Sequence, residues 1–163
     1  MDTVTIPEAL YWVQTIFAAL AVAFALAALF VAWLGNASRS WLQTKGTIVI
    51  SEVHQISHKP KFFPRIKYEY QVNRKSFLSR ILFIGHFIKT YTEDFSRNMV
   101  TQYPKGLDTQ VYYNPSYPSL SVLEPGINKG VISNLITRMI ICIICYALLN
   151  PLLLKKLTSL LSA

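Results

Sequence analysis

The sequence predicts a membrane α plus β protein, in which two transmembrane helices flank a small, mostly antiparallel β domain with one short helix. Three observations lead there. Residues 10–34 and 131–154 are long apolar runs, and each reaches the roughly 20 residues that a helix needs to cross the hydrocarbon core. Between them, residues 35–129 change to short alternating or β-branched stretches separated by turn residues, which is the pattern of strands. Residues 1–9 and 155–163 are left as tails.

The first run has no Asp, Glu, Lys or Arg between Glu8 and Arg39. A cleaved signal peptide would begin with basic residues and carry a shorter apolar stretch, whereas this start contains Asp2 and Glu8 and no Lys or Arg. A retained helix is therefore expected. Ala19, Ala23 and Ala27 recur at a spacing of four, and small residues in such a row let a second helix approach closely. The second run is the natural partner. It contains Asn134 and, one turn later, Arg138, which lies about 10 Å along a helix from Val131. A long side chain at that depth can reach the interface, or it can face a partner helix together with Asn134. Cys142 and Cys145 lie inside this run, where hydrocarbon disfavours a thiolate, so they read as packing residues. No basic residue precedes the first helix, while Arg39 and Lys45 follow it. This asymmetry predicts a cytoplasmic domain, although Lys155 and Lys156 pull the other way.

The domain begins with strand signals. Residues 47–53 are β-branched after Gly46, and residues 66–72 alternate strictly, with Ile66, Tyr68, Tyr70 and Val72 on one face. That is the signature of a sheet with one wet side. Asn73 and Arg74 suit a tight turn into a strand over 76–78. Residues 82–91 are too apolar for an ordinary loop, and are expected either to complete a strand or to lie against the bilayer. Thr92, Glu93 and Asp94 read as a helix start, and Tyr103, Pro104 and Gly106 as its end. Residues 111–113 and 120–123 give two more short strands, separated by Asn114, Pro115 and Pro118.

The order of residues in this last third resembles the signature of a bacterial family of domains of unknown function numbered 3592. The matching positions are the turn at Tyr103, Pro104 and Gly106, then Val111, Tyr112, Tyr113, Asn114 and Pro115, then Pro118, Val122, Leu123, Glu124, Pro125 and Gly126. Gly46, Ser51, Tyr68 and Tyr70 match it further upstream. The resemblance implies a small β domain between or beside membrane helices, and no established activity. Physically these residues read as fold determinants. Tyr112 and Tyr113 should point to opposite faces of a strand, and Pro115 should end it.

Charge narrows the partners. The net charge is +8, and residues 39–129 hold 13 of the 16 Lys and Arg against 6 of the 8 acids. A basic domain tethered close to a bilayer gains about 1 kcal/mol per cation near an anionic leaflet, so lipid headgroups are the first expectation and an acidic protein the second. Lys59, Lys61, Arg65, Lys67, Arg74, Lys75 and Arg80 would form that contact surface. No nucleic acid is expected.

Catalytic constellations are not found. His54 and His58 have only His86 beside them, short of a zinc ligand set. Adjacent Glu93 and Asp94 do not face each other as an acid and base would. No serine sits in a GxSxG setting, and six glycines form no phosphate loop. The expected function is a non-enzymatic membrane protein without metal or cofactor, an accessory or interaction subunit that binds lipids and either a membrane protein or another copy of itself. Its expected location is the bacterial inner membrane. The alternative is a membrane-anchored immunity or inhibitor protein whose Phe62, Phe63 and Tyr117 form a hot spot on a toxin or enzyme. An enzyme using His54 or His86 as a base ranks last.

Overall fold

The computed structural model describes residues 8–55, 62–88 and 91–150. The chain divides into two units: residues 31–131, a β unit, and residues 1–30 with 132–163, a helical unit.

The helical unit is built from α1 (Glu8–Ala37), whose last turns belong to the β unit, and α3 (Lys129–Leu148), whose first turn does. Both helices are long and apolar enough to cross a membrane, with candidate spans at Leu10–Ser40 and Lys129–Leu148. Their side chains are accordingly exposed apolar groups for most of their length. A polar contact joins them. Gln14, the first amide in the α1 run, is buried, and its Nε2 donates to the Leu149 carbonyl at 2.5 Å. That carbonyl lies just past the end of α3, where a helix leaves acceptors unpaired.

The β unit is one antiparallel sheet in the order β3-β2-β1-β4-β5. Its strands are β1 (Leu42–Gln55), β2 (Phe62–Val72), β3 (Lys75–Ser79), β4 (Asp108–Tyr113) and β5 (Ser121–Val122), with α2 (Glu93–Gln102) between β3 and β4. The long β1 lies at the centre because its β-branched residues pack on both neighbours. It pairs with β2 along one edge and β4 along the other, and its register with β2 shifts between Ile48 and Ile50. Gly46 opposes Tyr70 and Thr109 on these two neighbours. A Cβ there would stand 2.6 Å from Val111 Cγ2 and 2.8 Å from the Glu69 carbonyl oxygen, so only glycine fits. Asn73 and Arg74, at φ 52° and 64°, make the two-residue turn joining β2 to β3, a conformation that matches the strand twist.

The alternation of β2 is realised as expected, with Ile66, Tyr68, Tyr70 and Val72 all buried. α2 packs across β2 and β1. Thr92 caps it, its hydroxyl accepting from Phe95 N at 3.3 Å. Ile48, Ile66, Tyr68, Leu82, Val111 and Val122 form the inaccessible core. The buried tyrosine hydroxyls are satisfied, as buried polar groups must be. Tyr68 donates to the Ile81 carbonyl at 2.8 Å and lies 3.0 Å from Ser121 Oγ, while Tyr70 donates to the Pro118 carbonyl at 2.6 Å.

Residues 82–88 form neither a strand nor an exposed apolar loop. They fold as successive turns, with Leu82, Phe83, Ile84 and His86 buried and Phe87 exposed. The Leu82 carbonyl accepts from both Leu123 N and Glu124 N, at 3.0 and 2.8 Å. The apolar content is thus consumed by the domain's own core, with Phe87 left outside.

Candidate functional site

The best-defined concavity of the β unit lies along β2 at the end that β3 does not cover. β3 stops at Ser79, opposite Tyr68, so residues 62–67 have β1 on one side and, among the described residues, no strand on the other apart from a bridge between Phe62 and Tyr91. Pro64, which has no N–H to donate, falls in this uncovered stretch, as edge prolines do. The chain leaving β3 turns through Arg80 and the 82–88 turns, and encloses a cleft of about 490 Å³ against β2.

Cationic and apolar groups line the cleft. From β2 come Phe63, Arg65 and Lys67, and from the opposite wall Arg80, His86 and Phe87, with His54 of β1 alongside; no carboxylate is among the described lining residues. Arg65 Nη1 is engaged by Glu52 Oε1 at 2.8 Å. Lys67 and Arg80 form no ion pair with an acid among the described residues. The Arg80 guanidinium sits 5.2 Å from the centroid of the Phe87 ring, an arrangement that holds a cation in place without neutralising it.

His86 is the most constrained of these groups. Its ring is stacked at 5.6 Å on Tyr91 and meets Phe83 and Phe87 edge-on at 5.4 and 4.8 Å. It is 3% exposed, and its Nδ1 is buried without a hydrogen-bond partner. Burial, reinforced by the positive Arg80, pushes the imidazole down to about 4. His86 is therefore neutral at physiological pH. Tyr91, held by a 2.8 Å hydrogen bond from its hydroxyl to the His86 carbonyl, has its phenol pushed up by burial.

The basic residues expected to act together separate into two groups. Arg65, Lys67 and Arg80 meet at the cleft. Arg74 and Lys75 lie at the β2–β3 turn, at the other end of β2, and are exposed. Lys59 and Lys61 lie outside the described residues. The cleft adds Phe63, His86 and Phe87, which the charge pattern does not pick out. A second concavity, lined by Lys45, Glu69 and Asp108 among others, mixes both signs of charge.

The motif residues take structural places. The turn at Tyr103, Pro104 and Gly106 docks on β1: Gly106, at φ 86°, donates to the Ile48 carbonyl at 2.7 Å, and Ile48 N donates to Leu107 O at 2.9 Å. Tyr103 is buried and its hydroxyl reaches Glu124 Oε1 at 3.2 Å. Burial and the Glu124 charge raise that phenol to about 12. Asn114 Oδ1 accepts from Ser116 N and Tyr117 N, forming an Asx turn beside Pro115. Tyr112 and Tyr113, adjacent on β4 and so on opposite faces of the strand, are both half-buried and pair with β1 on one side and β5 on the other. Pro125 leads to Gly126, whose N donates to Ser38 Oγ at 2.8 Å. Ser38 in turn donates to the Gly35 carbonyl at 2.7 Å, and a Cβ on Gly35 would stand 2.9 Å from the Gly126 oxygen.

In the helical unit, Ala19 and Ala23 are exposed and Ala27 is half-buried, whereas Gln14 and Ala21 are buried. The alanine row therefore lies off the buried stripe, because residues two positions apart on a helix point in very different directions. Asn134 is half-buried with its Oδ1 unpartnered, and Arg138 is exposed. The proposed aromatic hot spot is divided by the sheet register. Phe62 pairs with Gln55 at one end of β1, while Tyr117 follows the strand whose Tyr113 pairs with Leu42 at the other, a separation of about 40 Å along an extended strand.

The model of DUF3592, a domain of unknown function, matches residues 44–128, which takes in every strand from early β1 to β5 together with α2. No curated protein matches the chain.

Proposed function

The chain belongs to the DUF3592 family of domains of unknown function, and from that premise we propose that it is a two-span protein of the bacterial inner membrane that serves as a non-enzymatic accessory or interaction subunit. Its β unit would sit on the cytoplasmic side, with its basic surface docked on anionic headgroups or an acidic partner. The helices would bind a larger membrane protein or a second copy. The observation that carries this reading is the cleft beside β2, where Lys67 and Arg80 face a concavity without a carboxylate lining it. Unneutralised cations in a hollow favour a negative partner. Asn134, with its buried Oδ1 unpartnered on an apolar helix, supports a helix-to-helix contact, since an amide without a partner in hydrocarbon is costly.

The test is purification of the tagged, intact protein in a mild detergent, followed by mass spectrometry of what accompanies it. A stoichiometric membrane protein, or a defined homo-oligomer that Asn134→Leu disperses, is the expected result. Recovery of a single soluble toxin or enzyme would favour the immunity or inhibitor reading, and recovery of a lone monomer would remove the subunit reading.

A further inference from the structure

We propose that the cleft between β2 and the 80–87 turns is a binding site for a phosphate group, held by Lys67 and Arg80 with Arg65 at the margin and His86 at the wall. This inference rests on the basic-surface part of the function proposed above and gives that surface a defined site and ligand chemistry. Four observations converge on it. The cleft, at about 490 Å³, is of the size that takes a small ligand or headgroup, within the roughly 300–1,000 Å³ of such sites. Its charged lining among the described residues is wholly basic. One of those groups, Arg80, is an arginine that no acid engages among the described residues, and its planar fork matches pairs of phosphate oxygens. The fourth observation is His86, whose 3% exposed ring lines the cleft and fixes its wall through aromatic contacts with Phe83, Phe87 and Tyr91.

The surroundings refine the ligand. Phe87 is exposed and carries Arg80 over its face, and Phe63 lines the opposite wall. A phosphate that bears an apolar group would gain from both. A carboxylate on an acidic protein offers a single charge and only two oxygens, so it uses Lys67 and Arg80 less fully. The phosphate can come from a lipid headgroup or from a soluble phosphate ester, and the chemistry of recognition is the same.

The experiment uses the full-length protein in maltoside micelles, which contain no phosphate. The imidazole resonances of His54 and His86 are followed by NMR at constant pH and ionic strength, with inorganic phosphate, phosphatidic acid doped into the micelles, or polyglutamate as the probe, and chloride as the control. A saturable shift with inorganic phosphate identifies a soluble source, and one with phosphatidic acid alone identifies the headgroup; either supports the site. Lys67→Gln with Arg80→Gln should weaken the response roughly tenfold or more, while Lys45→Gln with Lys75→Gln, an equal loss of charge away from the cleft, should change it less than about twofold. Equal weakening in both pairs would overturn the site in favour of diffuse charge. Saturation by polyglutamate with no response to phosphate would also overturn it, yet leave the basic-surface reading standing. No response to any probe would remove both.

Discussion

At the scale of single residues, the chemistry of the β unit turns on groups that burial has altered. His86 is neutral when folded because its imidazole is pushed down to about 4 by burial and by Arg80, while in the unfolded chain it titrates near its ordinary value of ~6.5. The folded value is the lower one, so the unfolded state takes up the proton first as the pH falls. Stability is then unaffected above about pH 6.5 and is lost progressively towards pH 4, by an upper bound of roughly 3 kcal/mol. Melting temperatures of the intact protein across that window should fall in the wild type. In His86→Phe the same window should be distinctly flatter. Parallel curves would show that His86 is not the buried titrating group. Gly46 makes a simpler case. Its missing Cβ would meet the Glu69 carbonyl oxygen at 2.8 Å, a backbone atom that cannot rotate away. Gly46→Ala should cost about 1–3 kcal/mol, seen as a lower denaturation midpoint, whereas Gly106→Ala meets no atom within 4 Å and should lose only what its positive φ demands.

At the scale of elements, the sequence was most readable where local chemistry and tertiary packing agree. β2 alternates because one of its faces is core, and Thr92 ends the preceding turn because its hydroxyl caps α2. The β2–β3 turn was legible from Asn73 and Arg74, yet Arg74 occupies φ 64°, a region that costs a residue with a side chain about 1–2 kcal/mol. Arg74→Gly should therefore raise stability by roughly 0.5–1 kcal/mol. Chemical denaturation would read this directly, and a loss of stability instead would mean that the Arg74 side chain makes a contact worth more than the strain. Other elements were hidden for definite reasons. Where β3 ends at Ser79 decides that Arg80 comes to face Lys67, and no local pattern encodes where a strand's partner stops. Residues 82–88 presented apolar content without a period, which does not distinguish core turns from a membrane-facing loop. In α1, Gln14 is an amide within an apolar run, and its contact with the end of α3 is one that the spacing of the alanines does not encode.

At the scale of the whole molecule, the junction of the β unit with its helices matters more than the sequence pattern suggests. The β unit reaches from residue 31 to residue 131, so it includes the last turns of α1 and the first of α3 rather than beginning after one helix and ending before the other. Within it, Val31 and Val131 are buried, and both face the position where Gly85 would carry a Cβ. Ser38, wholly buried, ties Gly35 to Gly126 through two hydrogen bonds. The fold thus draws the last turns of α1 and the first of α3 into its own core. Burying two valines contributes about 3–6 kcal/mol before entropy is counted, a large share of the ~5–15 kcal/mol by which a domain is stable. Tethering both ends also limits the unfolded states available to the segment between. A fragment of residues 31–131 should consequently unfold cooperatively and at a clearly higher temperature than a fragment of residues 41–127, which lacks Val31, Gly35, Ser38 and Val131. Circular dichroism melts of the two in the same detergent decide the matter. Equal midpoints would mean that the five strands and α2 are self-sufficient, and that the helix ends are attached to the domain without supporting it.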